Sequence, residues 1–577
     1  MAAGYHDTHG KMEGYFKISS KPSLDPGCTV VNAAITMKLW DYIPRWNSSA
    51  VSTLSMHQVT EARSGTDWLS QLTWSNKPEY GPAMDYVKTD GSQIGNNLSW
   101  DITRAAKEWY EGNGTDYGLV ITSDQTASTQ YRAWFQYTDH AVMSVTYRNT
   151  TGTESYYTYQ TQSAVRAGAG YVGDYSSELT VIKDDLSFSN TAMPFGFNHV
   201  FNSGLRSGDI YDAIQAGITA PDYSKMRTGY GWQLSVQESI KRVTIDNTIY
   251  LVYRDDDGTQ HFFSGGVNQN GSVFYDEDGL GLKITLGETN GWRTYTLTDD
   301  SGNKKFFYNA YLTYQEDGNG NKIYFVYNGA SFSASSTEWY PPQTGAYLSS
   351  IVSVNKGQST PTTICTFAYT NNYLSSITDH AGRVTKFVYA NNRLVQIIHP
   401  DNTSAYYDYN TSTGHLIEMY DAEAKYGVTY TYTGNAVTSI EEFAANTKGG
   451  DKTKGSCVKR SKNGVQEAIY RYDGDDRTFD TTDDIVTRYA FDFAGRTINA
   501  TTLNYNETQI LGVTAAAYTA STGTSRTNNR IEKDAQGGQA GINLLSAGGL
   551  EIHDTMTAPA NSWKPLQASG TGRKCSG

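Results

Sequence analysis

Short segments that alternate apolar and polar residues run through most of the chain, and one pattern recurs between Phe367 and Ile440. Each copy holds an aromatic pair, a polar turn, a spaced pair of aliphatic residues and a second turn. The closing tyrosines are Tyr369, Tyr389, Tyr409 and Tyr432. A fixed period of about 20 residues is the sequence signature of a repeat architecture.

The two segments of each copy are separated by Asn-Asn, Asp-x-Ala-Gly or Pro-Asp-Asn, which predicts one β-hairpin per copy. Helical spacing is not sustained across any copy. Because a lone hairpin is only marginally stable in water, the units must stack edge to edge and bury a common face. Ordinary antiparallel strands of a large sandwich are the alternative interpretation.

Two turns in this region carry a more specific motif. The pattern Asp-x-x-Gly-Arg occupies residues 379–383, ahead of the pair that ends at Tyr389, and recurs at 492–496. With these motifs the stretch resembles the RHS/YD-repeat family. The resemblance implies a β-spiral that closes into a hollow shell, often around a C-terminal toxin. It also implies a structural, non-catalytic role for the signature residues, which are Tyr369, Asp379, Gly382, Arg383, Tyr389, Tyr409, Tyr432, Gly495 and Arg496.

The first 150 residues differ in composition, since seven of the 11 tryptophans lie there. The predicted strands, most of them flanked by Gly, Asn, Asp or Ser, are 30–40, 52–59, 117–122, 133–137 and 141–147. One helix interrupts them, capped by Asp101 and ended by Gly112. Together these elements predict a β-sandwich with a short helix at one end.

Five segments of this block carry a second resemblance: 14–18, 33–37, 72–78, 100–103 and 117–121. They are similar to the DNRLRE-type domain, a jelly-roll-like β-sandwich grouped with carbohydrate-binding modules. The charged motif that names this family is absent from the front of the chain, so we expect an incomplete first strand. The resemblance implies a polysaccharide or cell-wall glycan as partner.

Sugar rings stack on flat aromatic side chains, while neighbouring polar groups orient the hydroxyls. The predicted glycan contacts are the aromatics in polar, loop-like surroundings, Trp46, Trp68 and Tyr80. The tryptophans on strand or helix patterns are predicted to lie in the core: Trp40, Trp74, Trp100 and Trp109. A purely structural role for the loop aromatics is the open alternative.

The remainder of the chain divides into three predicted parts. Residues 151–235 form a connector with leading strands, and 236–541 form the hairpin repeats. Residues 542–577 resemble the truncated start of a jelly-roll-like sugar-binding module, which we expect to be poorly ordered. The predicted fold class is therefore all-β, an N-terminal sandwich followed by a hairpin-repeat spiral of the RHS/YD shell type.

The net charge of −13, without a basic stripe, argues against a nucleic-acid partner. No apolar run approaches the roughly 18 residues of a membrane helix, so we expect no membrane insertion. The N-terminus lacks the basic and apolar regions of a signal peptide. Either the protein is intracellular, or this chain is a piece of a longer protein that is secreted or displayed on a cell surface. The two family resemblances favour the second, and we expect a monomer.

Acidic loops occur at 255–258, 276–279, 316–321 and 473–484. None matches the spacing of an EF-hand, and hairpin turns require Asp, Asn and Gly in any case. No cofactor is therefore expected, with calcium as the open alternative. His380, His399 and His415 fall in repeat turns and are predicted to be solvated.

No nucleophile elbow, phosphate-binding loop, zinc-protease motif or self-cleaving aspartate segment is found. The sequence therefore predicts a non-enzymatic structural and binding fragment, in which a glycan-binding-type sandwich precedes a spiral that encapsulates or displays a C-terminal effector. Two alternatives stay open: a polysaccharide-degrading enzyme with an appended binding module, and a surface adhesin whose repeats form a stalk.

Overall fold

The structure is a computed structural model of the 577-residue chain. It describes residues 1–542 apart from 19–20, 22–23, 25–26, 44–50, 62–68, 70–71, 113, 130, 137–140, 190–191, 208–226, 246–247, 278–279, 290, 309–310, 329–346, 519–529 and 534–538. The jelly-roll-like start predicted for 542–577 lies outside the described residues except for its first position. Two compact units are present: residues 1–150 with 464–466 and 493–495, and the rest.

Strands make up nearly all described elements of the first unit. They are β1 (Ala2–His6), β2 (Gly10–Met12), β3 (Gly14–Phe16), β4 (Cys28–Ile43), β5 (Ser52–Val59), β6 (Tyr80–Thr89), β7 (Asn97–Asp101), β8 (Leu119–Ser123), β9 (Arg132–Phe135) and β10 (Ala141–Asn149). One antiparallel sheet runs β10-β4-β9-β1-β2, with β7 also paired to β4, and a second runs β3-β8-β5-β6. Ile35 and Met37 of the first sheet share a core with Leu54 and Ile121 of the second.

The predicted helix is α1 (Thr103–Tyr110), and it buries Ala105 and Ala106 against the first-unit core. Its N-cap is Ile102, which makes no side-chain cap bond. Asp101 is therefore not the capping residue that the sequence suggested. Its Oδ1 still accepts a hydrogen bond of 2.7 Å from the Thr103 N–H, which satisfies one of the free donors at the helix start.

Residues 151–235, predicted as a connector with strands, form a five-stranded antiparallel sheet of their own. Its strands, in both chain and spatial order, are β11 (Tyr159–Ser163), β12 (Ala169–Gly173), β13 (Leu179–Phe188), β14 (Phe195–Asn202) and β15 (Trp232–Leu234). Two short 3-10 helices, Val165–Ala167 and Ser203–Leu205, lie between them.

The remaining strands form one continuous antiparallel sheet in which each strand pairs with the next along the chain. They are β16 (Ser239–Ile245), β17 (Thr248–Arg254), β18 (Gln260–Ser264), β19 (Val273–Asp276), β20 (Lys283–Thr289), β21 (Trp292–Thr298), β22 (Lys304–Tyr308), β23 (Tyr311–Glu316), β24 (Lys322–Tyr327), β25 (Leu348–Val354), β26 (Thr362–Thr370), β27 (Tyr373–Asp379), β28 (Val384–Ala390), β29 (Arg393–Ile398), β30 (Ser404–Tyr409), β31 (Leu416–Asp421), β32 (Tyr426–Thr433), β33 (Ala436–Ala445), β34 (Lys452–Asn463), β35 (Glu467–Tyr472), β36 (Ile485–Phe491), β37 (Thr497–Asn504), β38 (Ile510–Tyr518), β39 (Arg530–Lys533) and β40 (Gln539–Ile542). The predicted all-β class is confirmed.

The closing tyrosine of each repeat sits at a β-bulge, a feature that the sequence pattern did not predict. Register shifts fall immediately before Tyr369, Tyr389, Tyr409 and Tyr432. A bulge bends its strand and increases the local right-handed twist. Because the bulges recur with the repeat, each hairpin bends the sheet at an equivalent position.

Some of these tyrosines also link one hairpin to the one before it. The hydroxyl of Tyr409 donates to the Leu394 carbonyl at 2.7 Å, and that of Tyr432 donates to the Leu416 carbonyl at 2.9 Å. The hydroxyl of Tyr327 makes the same bond to the Leu312 carbonyl at 3.0 Å. The pattern therefore begins at least two strands before the stretch in which the sequence shows it most clearly.

The five-stranded sheet packs against the buried face of the repeats within the second unit. The rings of Phe197 and Phe367 lie 5.7 Å apart, and those of Trp232 and Tyr407 lie 4.9 Å apart. One core cluster contains residues of both sheets. In the described part of the chain, no helix is long and apolar enough to cross a membrane.

Candidate ligand-binding site

An aromatic cluster gathers around one carboxylate at the edge of the four-stranded sheet of the first unit. Glu13 lies just ahead of β3, and its side chain is almost fully buried, at 2% exposure. Lys77 Nζ approaches Glu13 Oε2 at 2.7 Å. The hydroxyls of Tyr15 and Tyr80 donate to its two oxygens at 3.2 and 3.3 Å. A buried carboxylate with these partners is a rigid anchor for the side chains around it.

The outer part of the cluster is an exposed tryptophan ring. Trp74 is 56% exposed, and Lys77 Nζ lies 4.0 Å from the centroid of its ring. The ring of Tyr80, half-buried, lies 4.8 Å from that of His57. Burial and then the charge of Glu13 raise the pKa of Tyr80, so its hydroxyl stays protonated at neutral pH. The site thus offers a flat apolar face beside an ammonium group and a hydroxyl.

The predicted sugar-contacting residues are only partly described by the structure. Trp46 and Trp68 lie outside the described residues. Tyr80 lies in the cluster, and Lys77 Nζ is 5.6 Å from the centroid of its ring and 4.0 Å from that of Trp74.

The prediction that four tryptophans are core residues is half right. Trp100 is fully buried and donates from its indole N–H to the Leu54 carbonyl at 3.0 Å, and Trp109 packs against the same core. Trp40 and Trp74, however, are 62% and 56% exposed, so their placement in the core was wrong. Trp40 points outward from β4, because alternate residues of a strand face opposite sides of its sheet. Trp74 lies in a turn, which the adjacent Ser-Asn-Lys-Pro sequence could have indicated.

The signature turns of the repeats have a regular geometry. Asp379 Oδ1 accepts hydrogen bonds from the backbone N–H groups of Ala381 and Arg383, both at 2.9 Å, while its Oδ2 lies 2.7 Å from Arg383 Nε. Gly382 has a φ of +77°. In the second copy, Asp492 pairs with Arg496 at the same 2.7 Å, and Gly495 has a φ of +80°.

Two of the repeat-turn histidines are buried, contrary to the sequence prediction. His380 is exposed as expected, but His399 and His415 are 7% and 3% exposed. Burial lowers the pKa of both to about 4, with further lowering by nearby Lys and Arg side chains. At neutral pH both rings are uncharged.

Two of the predicted acidic loops contribute to groups of possible metal ligands among the described residues. One group is Glu154, Asp255 and His261, and the other is Asp476, Asp483 and Asp484. In the first, His261 Nε2 lies 3.2 Å from Glu154 and 3.1 Å from Asp255, distances that an ordinary hydrogen-bonded cluster also gives.

No family model matches the chain, and no curated protein matches it. Among solved structures, it is similar to the Tc holotoxin pore of Photorhabdus luminescens with mutated TccC3, at 12% identity over 63% of this chain with a TM-score of 0.22. It is similar to TcdB2–TccC3 at 12% identity over 67%, with a TM-score of 0.20. The matches span only 20% and 22% of those two chains.

A third similarity is to the N-terminal domain of the effector protein SpvB from Salmonella typhimurium strain LT2. It has 12% identity over 49% of this chain and 94% of that domain, with a TM-score of 0.21.

Proposed function

We propose that the protein is a non-enzymatic scaffold whose repeats form the wall around, or the display platform for, an effector segment of a longer polypeptide. The observation that carries this proposal is the unbroken antiparallel order of β16 to β40, with bulges in phase at the repeat tyrosines. Bulges that recur at equivalent positions favour a sheet that curves around an interior. The same sheet leaves few free edges, which suits a wall.

Protection of an attached segment tests this function. A flexible, protease-sensitive peptide is added after residue 577 in one protein and ahead of residue 1 in another. Enclosure requires the C-terminal peptide to be cut at least about tenfold more slowly than the N-terminal one. Equal cleavage rates would contradict a wall and favour an adhesin stalk. Release of new reducing ends from polysaccharides would instead favour the enzyme alternative.

We also propose that the first unit binds a polysaccharide or cell-wall glycan through the cluster around Glu13. The exposed ring of Trp74 supplies a stacking face, while Lys77 and Tyr80 stand beside it to contact hydroxyls. Trp74→Ala, which removes the ring, should weaken binding of a glycan identified on an array by at least about tenfold. The matched control is Trp40→Ala, which removes an equally exposed ring from the other sheet. Equal losses in both variants would contradict this site.

A further inference from the structure

A cavity of about 710 Å³ lies within the second unit, apart from the aromatic cluster of the first. One wall comes from β12, β13 and the 3-10 helix at 165–167, and the other from the turns that follow β27 and β29. Its volume falls within the range typical of small-molecule sites, about 300–1,000 Å³. Ser163, Asp184, Ser187 and Thr385 give it polar walls, and Tyr171 contributes a ring.

The cavity wall contains a buried ammonium group that is only partly satisfied. The Lys183 side chain is 4% exposed, and its Nζ donates to Asp185 Oδ1 at 2.8 Å. Among the described residues this is its one hydrogen bond, although an ammonium has three donors. Asp185 is shared, because its other oxygen contacts the ring of His199. A buried cation with unused donors favours a ligand that supplies acceptors.

The opposite wall contains a buried ring nitrogen that has no hydrogen-bond partner among the described residues. His399 is 7% exposed, and its Nε2 has no hydrogen-bond partner in the part of the chain that the structure describes. After burial, the causes that lower its pKa are the charges of Lys183 and Arg166, which outweigh the opposing carboxylates of Asp401 and Asp421. Lys183 and Arg166 are thus the cations that act most strongly on His399, while Asp184, Asp185 and Asp379 also line the cavity.

Two arginines line the part of the cavity nearer to solvent. Arg166 and Arg383 have side-chain exposures of 35% and 66%. Each is paired with a carboxylate, Arg166 with Asp401 at 2.8 Å and Arg383 with Asp379 at 2.7 Å. A guanidinium has five N–H donors, so each pairing leaves donors that can reach a bound anion.

We propose that this cavity binds a small hydroxylated anion, of the class of a sugar acid or a sugar phosphate, with its charged group at Lys183 and His399. Arg166 lies beside the anionic group of the ligand. The carboxylates of the other walls accept hydrogen bonds from the ligand's hydroxyls, and the hydroxyls of those walls donate to them or accept from them. The proposal does not rest on the scaffold function and does not require the aromatic cluster of the first unit.

Titration of the full chain with three probes tests the site. The probes are glucuronate, inorganic phosphate and glucose, the last being the uncharged analogue of the first. We expect glucuronate or phosphate to bind with a dissociation constant of about 10 mM or less, and glucose to bind at least about tenfold more weakly. Failure of both anions to bind at that concentration, or equal binding of glucose, would overturn the proposal.

Two pairs of variants assign the binding to this cavity. His399→Leu removes the ring nitrogen that has no partner among the described residues. His415→Leu is its control, since His415 is a similarly buried turn histidine outside the cavity. Arg166→Gln is matched by Arg293→Gln, whose ion pair with Glu288 is similarly exposed. We expect His399→Leu and Arg166→Gln each to weaken anion binding at least about tenfold, while the controls leave it unchanged.

The paired design separates binding from folding. If His399→Leu fails to fold, Arg166→Gln still tests the site, because Arg166 lies at the partly exposed end of the cavity. Equal effects in a variant and its control would show that the anion binds elsewhere, and would overturn the assignment.

Discussion

Two tyrosines at the first aromatic position of neighbouring repeats differ in what their hydroxyls do. The Tyr407 hydroxyl donates to the Ala167 carbonyl at 2.9 Å, with both residues buried. The Tyr430 hydroxyl is equally buried and has no partner among the described residues. Burial raises the pKa of both phenols well above the usual value, so both stay neutral.

We therefore expect opposite effects from one substitution at the two sites. Tyr407→Phe leaves the Ala167 carbonyl without its donor and should lower the free energy of unfolding by about 1–3 kcal/mol. Tyr430→Phe removes a hydroxyl that makes no hydrogen bond to any described residue, and it should be neutral or slightly stabilising. Chemical denaturation of the two variants and the wild type measures the difference. Equal destabilisation at both sites would mean that the packing of the hydroxyl oxygen, and not its hydrogen bond, governs the effect.

Gly382 offers a second test at the scale of one residue. Its φ of +77° is unfavourable for residues with a Cβ, and an added Cβ would meet no atom within 4 Å. Gly382→Ala should therefore cost about 1–2 kcal/mol through backbone conformation alone. Gly512→Ala is the control, because Gly512 lies in β38 without a positive φ and its Cβ would also meet no neighbour. A loss of stability at Gly512 as large as at Gly382 would contradict this cause.

Local sequence predicts where strands and turns lie better than it predicts how the strands pair. β5 begins and ends where the alternation of Ser52–Val59 predicts. The Asn-Asn turns also follow from sequence, because Asn371 and Asn372 adopt positive φ values of +53° and +65°, as tight hairpin turns require. The bulges could not be predicted, since the register of one strand depends on its partner as well as on its own residues.

The candidate sites depend on contacts between residues far apart in sequence, which limits prediction. Tyr80 was found from its polar surroundings, but its carboxylate partner Glu13 is 67 residues away. His399 lies in a polar turn and was expected to be solvated. It is buried because the five-stranded sheet, remote in sequence, packs against the repeats. Local hydropathy carries no signal of such packing.

The acidic hairpin turn at 473–484 gives a prediction at the element scale. Asp483 Oδ2 accepts hydrogen bonds from the backbone N–H groups of Asp475 and Asp476, at 2.6 and 3.1 Å, and Asp484 Oδ2 accepts one from Asp480. These oxygens already stabilise the turn, so calcium would have to compete with the backbone. We expect calcium or a chelator to shift the thermal midpoint by less than about 1 °C.

The control for this turn is Asp483→Asn, which keeps an acceptor oxygen and removes the charge. If the turn binds no calcium, the thermal midpoint of this variant should respond to calcium and to the chelator as little as that of the wild type does. A midpoint that rises by several degrees with calcium in the wild type, and no longer rises in Asp483→Asn, would identify a metal site and contradict the turn interpretation.

At the scale of the whole second unit, several carboxyl groups are buried where their ionised form is unfavourable. Burial raises the pKa of Asp174, Glu178, Glu238 and Asp255 above the usual values. A carboxyl whose pKa is higher in the folded state binds more protons when folded than when unfolded. Its contribution to stability is full below the unfolded pKa and is lost as pH rises through the folded pKa.

We therefore expect the stabilising contribution of these four carboxyls to decline as pH rises above their unfolded pKa of about 4, and Glu178→Gln to make this decline shallower. Glu178 is suited to the test because its Oε2 is buried without a partner among the described residues, and glutamine keeps its size without the charge.

Glu316→Gln is the control of opposite sign. Burial would raise the pKa of Glu316, but Lys322 and Lys304 lower it below its usual value. Its contribution is therefore present at neutral pH and disappears as pH falls through the folded pKa. Thermal unfolding at a series of pH values measures both variants. A steeper loss of stability with rising pH in Glu178→Gln would show that the charge of Arg206 keeps Glu178 ionised in the folded protein.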